Sequence, residues 1–290
     1  MNNNTLICAM ARLAEQFGRR FPTRLPGTEA RGSGAAGCGA KAIDEALGGF
    51  EGGSLYAFAS ENDYVPNPKI LTWAISGTAA NCFLLDTPPR FAVNSMLCQL
   101  SGLRLQDIGF RRHISDEIWD SVCKAYEILF RSRIAFHRCP VLSPDMLREI
   151  IAECGAGDLI YVDRINKMQS DVPDGWERRR DELSQIAFEL KNIARECNVP
   201  VVFDLELFRP RRLRREKTPL RLVDFMRNME DCNCDAVCMV TVDGDERTSE
   251  LVKNRFGTCV KEIGIKKKSR DRQRLTPRGK NDIILTKGNN

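Results

Sequence analysis

Leu159-Ile160-Tyr161-Val162-Asp163 and Val199-Pro200-Val201-Val202-Phe203 are two short apolar runs, and together with the segment between them they decide the fold. Within that segment, apolar residues recur at the spacing of one helix face; they are Leu183, Ile186, Leu190, Ile193 and Cys197. The order is therefore buried strand, amphipathic helix, buried strand. Several such units in succession predict an α/β fold with a mostly parallel, helix-covered sheet.

The same alternation precedes this unit. Short apolar runs predict strands at 54–59, 81–85 and 134–136, and periodic apolar residues predict helices at 70–80, 91–101, 116–131 and 144–154. Nearer the amino terminus, one predicted helix has an apolar stripe formed by Leu6, Met10, Leu13 and Phe17. The stripe has two interpretations, packing on the core of this chain or docking on an adjacent subunit.

Composition restricts the class of protein. The 290 residues, 42% of them hydrophobic, suffice for one large or two modest domains. No apolar tract approaches the ~18 residues of a membrane span and no apolar signal segment is present, so no membrane partner is expected. Twelve scattered cysteines are typical of reduced thiols and predict a cytoplasmic location. Cys232, Cys234 and Cys238 lack the spacing of zinc ligands, so no metal site is predicted.

A phosphate-binding loop is expected after the first strand, and the sequence there lacks its chemistry. Such a loop uses glycine N–H groups to hold phosphate oxygens, then a Lys, then a Ser or Thr hydroxyl for Mg²⁺. The run from Ser60 to Ile70 contains no glycine, and Ile70 occupies the place of the hydroxyl. Two prolines in the run remove N–H donors, and Glu61 and Asp63 repel a triphosphate.

Two residues remain as candidates for nucleotide binding. Lys69 is the one component of the loop that is present, although a lone Lys before an apolar helix is ordinarily a solvated surface residue. Asp163 ends an apolar strand, and nucleotide hydrolases place a carboxylate there to bind Mg²⁺ and its water.

Basic residues are concentrated in two runs. Six of the nine residues from Arg209 to Lys217 are basic, and so are eight of the fifteen from Lys266 to Lys280, although the net formal charge is only +5. Two such runs favour a polyanionic partner. The second run has almost no apolar content, which predicts a disordered basic tail at 266–290.

Several segments, taken in order, resemble the C-terminal, RecA-like motor domain of DnaB-type replicative helicases. The most specific is Leu251-Val252-Lys253-Asn254-Arg255-Phe256-Gly257; the others are Lys41 to Phe50, Met96 to Gly102, Leu159 to Met168 and Leu190 to Val202. The resemblance implies a RecA-like core at 41–265, with helices on both faces of its sheet, after an N-terminal helix and linker at 1–40.

The resemblance also implies roles for single residues. Lys253 and Arg255 match the family's Lys and Arg that reach into the nucleotide site of a neighbouring subunit, where the Arg acts as a finger on the terminal phosphate. Asp163 ends the Walker B strand, and Asp86 stands where the family has its catalytic Glu. These four are the catalytic candidates. The Walker A loop is degenerate, and Glu206 replaces a phosphate-sensing amide, which adds a charge that opposes a triphosphate.

Two arginine-rich segments match the family's DNA-binding loops. Arg178, Arg179 and Arg180 lie where the first loop ends. The second loop carries Arg209, Arg211, Arg212, Arg214, Arg215 and Lys217. Such side chains neutralise phosphates without reading bases, so we expect salt-dependent, sequence-independent binding, with single-stranded DNA as the partner.

The sequence therefore predicts a degenerate helicase-core protein of DNA replication or of a mobile element. It is expected to bind DNA, helicase-like subunits or copies of itself in a ring, without a cofactor and without ATP hydrolysis of its own. Two alternatives stay open. An active ATPase using ATP and Mg²⁺ is favoured if Lys69 and Asp163 face one pocket. A helicase inhibitor or loader acting through the subunit interface is favoured if the arginine loops turn away from any channel.

Overall fold

The computed structural model describes residues 3–17, 19, 36–61, 68–105, 114–171, 178–209, 218–230, 233–243 and 246–265. The helices in these ranges are α1 (Asn3–Phe17), α2 (Lys41–Leu47), α3 (Pro68–Ser76), α4 (Pro89–Ser101), α5 (Asp116–Phe130), α6 (Pro144–Cys154), α7 (Arg179–Cys197) and α8 (Leu222–Met226). The strands are β1 (Leu55–Ser60), β2 (Ala80–Leu84), β3 (Ile134–Arg138), β4 (Leu159–Asp163), β5 (Val201–Glu206), β6 (Ala236–Asp243), β7 (Glu246–Asn254) and β8 (Lys261–Ile265).

All eight strands form one sheet in the order β3-β2-β4-β5-β1-β6-β7-β8. In this order, every neighbouring pair of the first six strands is parallel, whereas β7 pairs antiparallel with both β6 and β8. The mostly parallel α/β class predicted from the sequence is confirmed. The strand that ends at Asp163 is interior, and Lys253 lies in β7, second from the sheet edge, with Arg255 to Gly257 in the turn beyond.

Helices cover both faces of the sheet, because successive strand residues point to opposite sides. In β1, Tyr56 and Phe58 join the core under α1 to α5, whereas Leu55, Ala57 and Ala59 join the core under α6, α7 and α8. Each face thus has a continuous buried core. Among the described residues, no helix is long and apolar enough to cross a membrane.

The apolar stripe of α1 packs on its own chain. Leu6, Met10, Leu13 and Phe17 are all buried, and α1 contacts α4 and α5. Arg19 secures the end of this helix by donating to Asp116 Oδ1 at 2.5 Å and to the Ile114 carbonyl at 2.8 Å. The chain itself therefore covers the stripe, as the intramolecular interpretation expects, and none of the four residues is exposed.

Local chemistry sets several element ends. The helix predicted at 70–80 stops at Ser76, since Gly77 takes a left-handed φ of 80°. Before β1, the chain between α7 and β5 passes close to Gly52, because Gly52 has no Cβ. A Cβ there would lie 2.6 Å from the Asn198 carbonyl oxygen. The side-chain oxygens of Ser115 and Ser143 cap α5 and α6.

Candidate functional site

A small cavity opens at the carboxyl ends of the central parallel strands, the edge at which open α/β sheets bind ligands. Phe58 and Ser60 of β1 line it together with residues from β4, β5, β6 and β7. Its charged lining consists of Lys69, Arg164, Arg247, Asp163, Asp204 and Glu206. The structure thus brings the two predicted nucleotide-binding residues, Lys69 and Asp163, to one cavity.

Lys69 is buried, not solvated. Its residue exposure is 1%, and its Nζ donates to Asp204 Oδ1 at 2.7 Å. The same ammonium lies 4.2 Å from the centre of the Phe58 ring, within the range of a cation–π contact. A buried ammonium requires such compensation, because losing its hydration costs several kcal/mol. The prediction of a surface Lys is therefore wrong, and the side chain is committed to a partner in its own chain.

Asp204 is the residue that the sequence analysis missed. Its second oxygen accepts a hydrogen bond of 2.5 Å from the Tyr161 hydroxyl, so it joins α3, β4 and β5 in one polar cluster. Burial and the Asp204 charge raise the pKa of Tyr161, which keeps the hydroxyl a donor. The signal available in the sequence was a charged residue directly after the apolar run that ends at Phe203. The structure pairs this residue with Phe58 of β1.

Asp163 is buried beside this cluster. Its Oδ2 accepts a hydrogen bond of 3.1 Å from the Thr87 backbone N–H. Burial and the negative charge of Asp204 raise the pKa of Asp163. An acidic side chain that is held in a cavity at this energetic disadvantage is a common property of functional sites.

Arg164 pairs with the remaining carboxylates. It has a left-handed φ of 58°, which costs a non-glycine residue roughly 1–3 kcal/mol. Its Nη1 donates to Glu206 at 2.7 Å, and its Nε lies 3.4 Å from Asp86, which is also 3.9 Å from Lys167 Nζ. Glu206 was expected to place an uncompensated charge near a phosphate. In the structure, Arg164 offsets that charge.

The cavity has no excess of positive charge. Three cations and three carboxylates line it, so the balance of formal charges is zero. Its volume of about 20 Å³ accommodates one water molecule, whereas ligand pockets have roughly 300–1,000 Å³. The predicted degenerate loop lies partly at 62–67, outside the described residues. The described lining of the cavity therefore offers a triphosphate no surplus of cations.

Arg255 lies at the other end of the parallel strands, where β1 and β6 begin. It donates to Asp235 Oδ1 at 3.0 Å, and 69% of its side chain is exposed. The buried Asp235 also accepts from Lys191 and from the Leu55 backbone N–H at the start of β1. Burial acts to raise the pKa of Asp235, but hydrogen bonds from Lys191, Leu55 and Arg255 lower it overall.

Arg255 and Lys69 lie near opposite ends of β1. The strand runs from Leu55, beside Asp235, to Ser60, which lines the cavity, and this spans about 17 Å at ~3.3 Å per residue. Lys253 of β7 pairs with Val237 of β6 and so lies near Arg255, away from the cavity. The structure therefore separates the four catalytic candidates into two pairs, Asp86 and Asp163 near the cavity and Lys253 and Arg255 away from it.

The predicted DNA-binding residues fall into three groups: the arginines of the first loop, Arg209, and the residues outside the described ranges. In the first group, Arg178 is exposed, Arg179 donates to the Asn166 and Met168 carbonyls, and Arg180 donates to the Met226 carbonyl. Arg209 is buried, with ion pairs to Asp224 at 3.2 Å and Glu61 at 3.1 Å, so its guanidinium stabilises the fold. The basic tail and five loop residues lie outside the described residues: Arg211, Arg212, Arg214, Arg215 and Lys217.

Cysteines and acidic residues form no metal site in the described part of the chain, where no group of three or more His, Cys, Asp or Glu side chains is placed to hold an ion. Cys234 and Cys238 are buried, and Cys232 falls outside the described residues.

Asparagine substitution of the two buried aspartates should change stability in opposite directions. Because its pKa is raised, ionised Asp163 destabilises the folded chain above that pKa, and this penalty vanishes as the pH falls towards 3.8. Asp163→Asn should therefore raise the urea midpoint at neutral pH, with a difference that shrinks on acidification. Because its pKa is lowered, Asp235 stabilises the fold above pH 3.8, and this contribution is lost as the pH falls through the lowered pKa.

Asp235→Asn is the matched variant, for which the expected change in stability has the opposite sign. At neutral pH it should reduce the unfolding free energy by about 3–5 kcal/mol, because Lys191 loses its buried partner. Its deficit should diminish below pH 3.8. Lower midpoints for both variants at neutral pH would contradict the environment assigned to Asp163.

Comparisons with known proteins agree with this architecture. Over 186 residues the chain is 20% identical to the replicative DNA helicase DnaB of Helicobacter pylori, covering 61% of this chain and 38% of that protein. Over 142 residues it is 28% identical to the replicative DNA helicase DnaC of Bacillus subtilis, covering 48% and 31%. The matched region thus spans about a third of the length of these curated relatives.

Two solved structures share the fold. A DnaB-like replicative helicase, determined in a study of its interactions with primase, superposes with a TM-score of 0.71 at 18% identity, over 80% of this chain and 60% of that one. A second solved structure, an ATPase domain, gives 0.69 at 18% identity, over 81% and 89%. The family model of the DnaB-like helicase C-terminal domain matches residues 37–276. The chain belongs to the DnaB-like helicase C-terminal domain family.

Proposed function

We propose that this chain is a degenerate DnaB-like motor domain that binds single-stranded DNA in a helicase-type ring and does not hydrolyse ATP in its own site. One observation carries the proposal, the buried ion pair between Lys69 and Asp204 at 2.7 Å. The Lys that should contact the terminal phosphates is already neutralised by a carboxylate of its own chain.

Nucleotide binding at this cavity would have to overcome several costs at once. Lys69 would have to leave Asp204, and breaking a buried pair costs roughly 3–5 kcal/mol. The run from 60 to 70 has neither the glycines nor the hydroxyl that supply charge-assisted hydrogen bonds of about 1.5–3 kcal/mol each. The balanced charges of the lining offer no compensating attraction. These costs support weak binding and negligible turnover.

The retained residues act outwards. Arg255 is mostly exposed and lies at the edge away from the cavity, which supports a contact with a neighbouring subunit rather than with its own site. In the family, the Arg at this position stabilises the charge that develops on a terminal phosphate. We therefore assign Arg255 a trans-acting role in a ring that contains competent subunits.

A second candidate is an active ATPase, and three observations favour it. Lys69 and Asp163 line the same cavity, which is the arrangement expected of a working site. The raised pKa of Asp163 and the strained backbone of Arg164 are also common at functional sites. Affinity for ATP distinguishes the two candidates.

ATP binding should be undetectable below millimolar concentrations. Fluorescently labelled ATP with Mg²⁺ should give no saturation with the wild type or with Lys69→Met, and phosphate release should stay at background with and without single-stranded DNA. Lys167→Met is the control, since it removes a half-exposed Lys that contacts Asp86. Micromolar binding by the wild type and by Lys167→Met, lost in Lys69→Met, would establish the active ATPase instead.

DNA binding should weaken steeply with salt. Replacing Arg211, Arg212 and Arg214 by Gln should reduce the magnitude of the slope of log K against log salt by roughly 2, at ~0.7 per phosphate of single-stranded DNA. Sequence preference should hardly change. The control removes equal charge from exposed positions within or just after helices elsewhere, Arg12, Lys124 and Arg131. Salt-insensitive binding, or none, would favour an inhibitor or loader that acts through the subunit interface.

Arg255 should matter for turnover in a partner subunit. A DnaB-type helicase that lacks its own finger should regain ATP hydrolysis when mixed with the wild-type chain, but not with Arg255→Ala; Arg255→Lys should rescue poorly because it lacks the planar fork. Asp235 keeps Lys191 and the Leu55 N–H as donors when Arg255 is replaced, so both variants should fold. Equal stimulation by wild type and Arg255→Ala would refute the assignment.

A further inference from the structure

An exposed aromatic residue projects from the end of β5. Phe208 is 66% exposed, and α8, which is followed by the residue Asn228 that hydrogen-bonds to the Phe208 backbone, exposes two further apolar residues, Val223 at 49% and Met226 at 42%. Val223 and Met226 are three positions apart in α8 and so lie on one side of that helix. We call Phe208, Val223 and Met226 the Phe208 surface. Exposed apolar side chains on two adjacent segments can form a site of interaction.

The backbone of Phe208 is fixed in place. Its neighbours in sequence, Leu207 and Arg209, are both buried, and the Arg209 guanidinium pairs with Asp224 of α8. The Phe208 N–H donates to Asn228 Oδ1 at 2.8 Å. The ring is therefore held out in solvent by anchored neighbours. A pre-positioned ring loses little conformational freedom when a partner covers it.

Positive charge surrounds the Phe208 surface. Arg180 donates to the Met226 carbonyl at 2.8 Å, and Arg227 of the α8 end is 47% exposed at its side chain. Arg221, at the start of α8, is exposed as well. Arg227 and Arg209 both pair with the buried Asp224, and Arg180 lies 3.6 Å from Glu230, so with Arg221 the arginines here outnumber the carboxylates by four to two. A partner that combines negative charge with flat apolar faces fits this surface.

We propose that Phe208 is a stacking platform for an unpaired base of single-stranded nucleic acid, whose phosphates lie along Arg180, Arg221 and Arg227. Bases supply the flat apolar face and phosphates the charge, and stacking tolerates any base because each has a π face. This inference rests on the proposed DNA binding, but adds a contact to the base itself. That contact depends little on salt, unlike the phosphate contacts.

The test compares two labelled single-stranded probes of equal length, oligo-dT and an abasic oligonucleotide with the same phosphates. Fluorescence anisotropy with the full chain should show that Phe208→Leu binds oligo-dT roughly 5- to 150-fold more weakly, the effect of losing one stacked base. Binding of the abasic probe and the salt slope should not change. Phe208→Trp should retain oligo-dT binding. Phe188→Leu, which alters a 43% exposed ring of α7, should affect neither probe.

Other outcomes separate the failure of this inference from that of the proposed function. An unchanged affinity of Phe208→Leu for oligo-dT, with salt-dependent binding intact, overturns the stacking platform alone. Equal losses on both probes show that Phe208 supports the fold and also overturn it. Loss of self-assembly with unchanged DNA affinity identifies an interface between copies and overturns it too. No binding of the wild type to either probe overturns the proposed function together with this inference.

Discussion

A single buried ion pair, Lys69 with Asp204, controls what the carboxyl edge of the sheet can do. An ammonium in a nearly dry site must have a counterion, and Asp204 provides it while also accepting from Tyr161. The Phe58 ring completes the enclosure. Once these groups satisfy one another, the remaining charges follow the same pattern, since Arg164 takes Glu206 and Asp86. Most of the described charges at this edge are therefore paired within the chain.

The opposite edge has a different electrostatic design. There Asp235 collects donors from β1, α7 and the turn after β7, so one carboxylate joins three parts of the fold. Two of these donors are buried or belong to the backbone, and the third, Arg255, extends towards solvent. The sheet thus separates a self-contained cluster from an exposed cation by the length of β1.

Much of the fold followed from local pattern, whereas the site depended on contacts between distant residues. The apolar runs of β4 and β5 and the periodic face of α7 predicted a parallel, helix-covered sheet, because strand and helix burial have fixed periods. Lys69 could not be placed correctly, since its partner lies 135 residues away in the sequence. Arg164 was not predicted either, because no pattern in the sequence indicated its left-handed backbone conformation. Arg209 was predicted to bind DNA as a member of a basic run, but its guanidinium is buried against Asp224.

The shared carboxylate of Asp235 makes the guanidinium of Arg255 detachable. If the arginine swings out towards another molecule, Lys191 and the Leu55 N–H still bind Asp235, so no bare charge is left inside the protein. A pair with only two members could not separate in this way, because each partner would be stranded. Lys191 would thus keep Asp235 compensated whether Arg255 pairs with it or with another molecule.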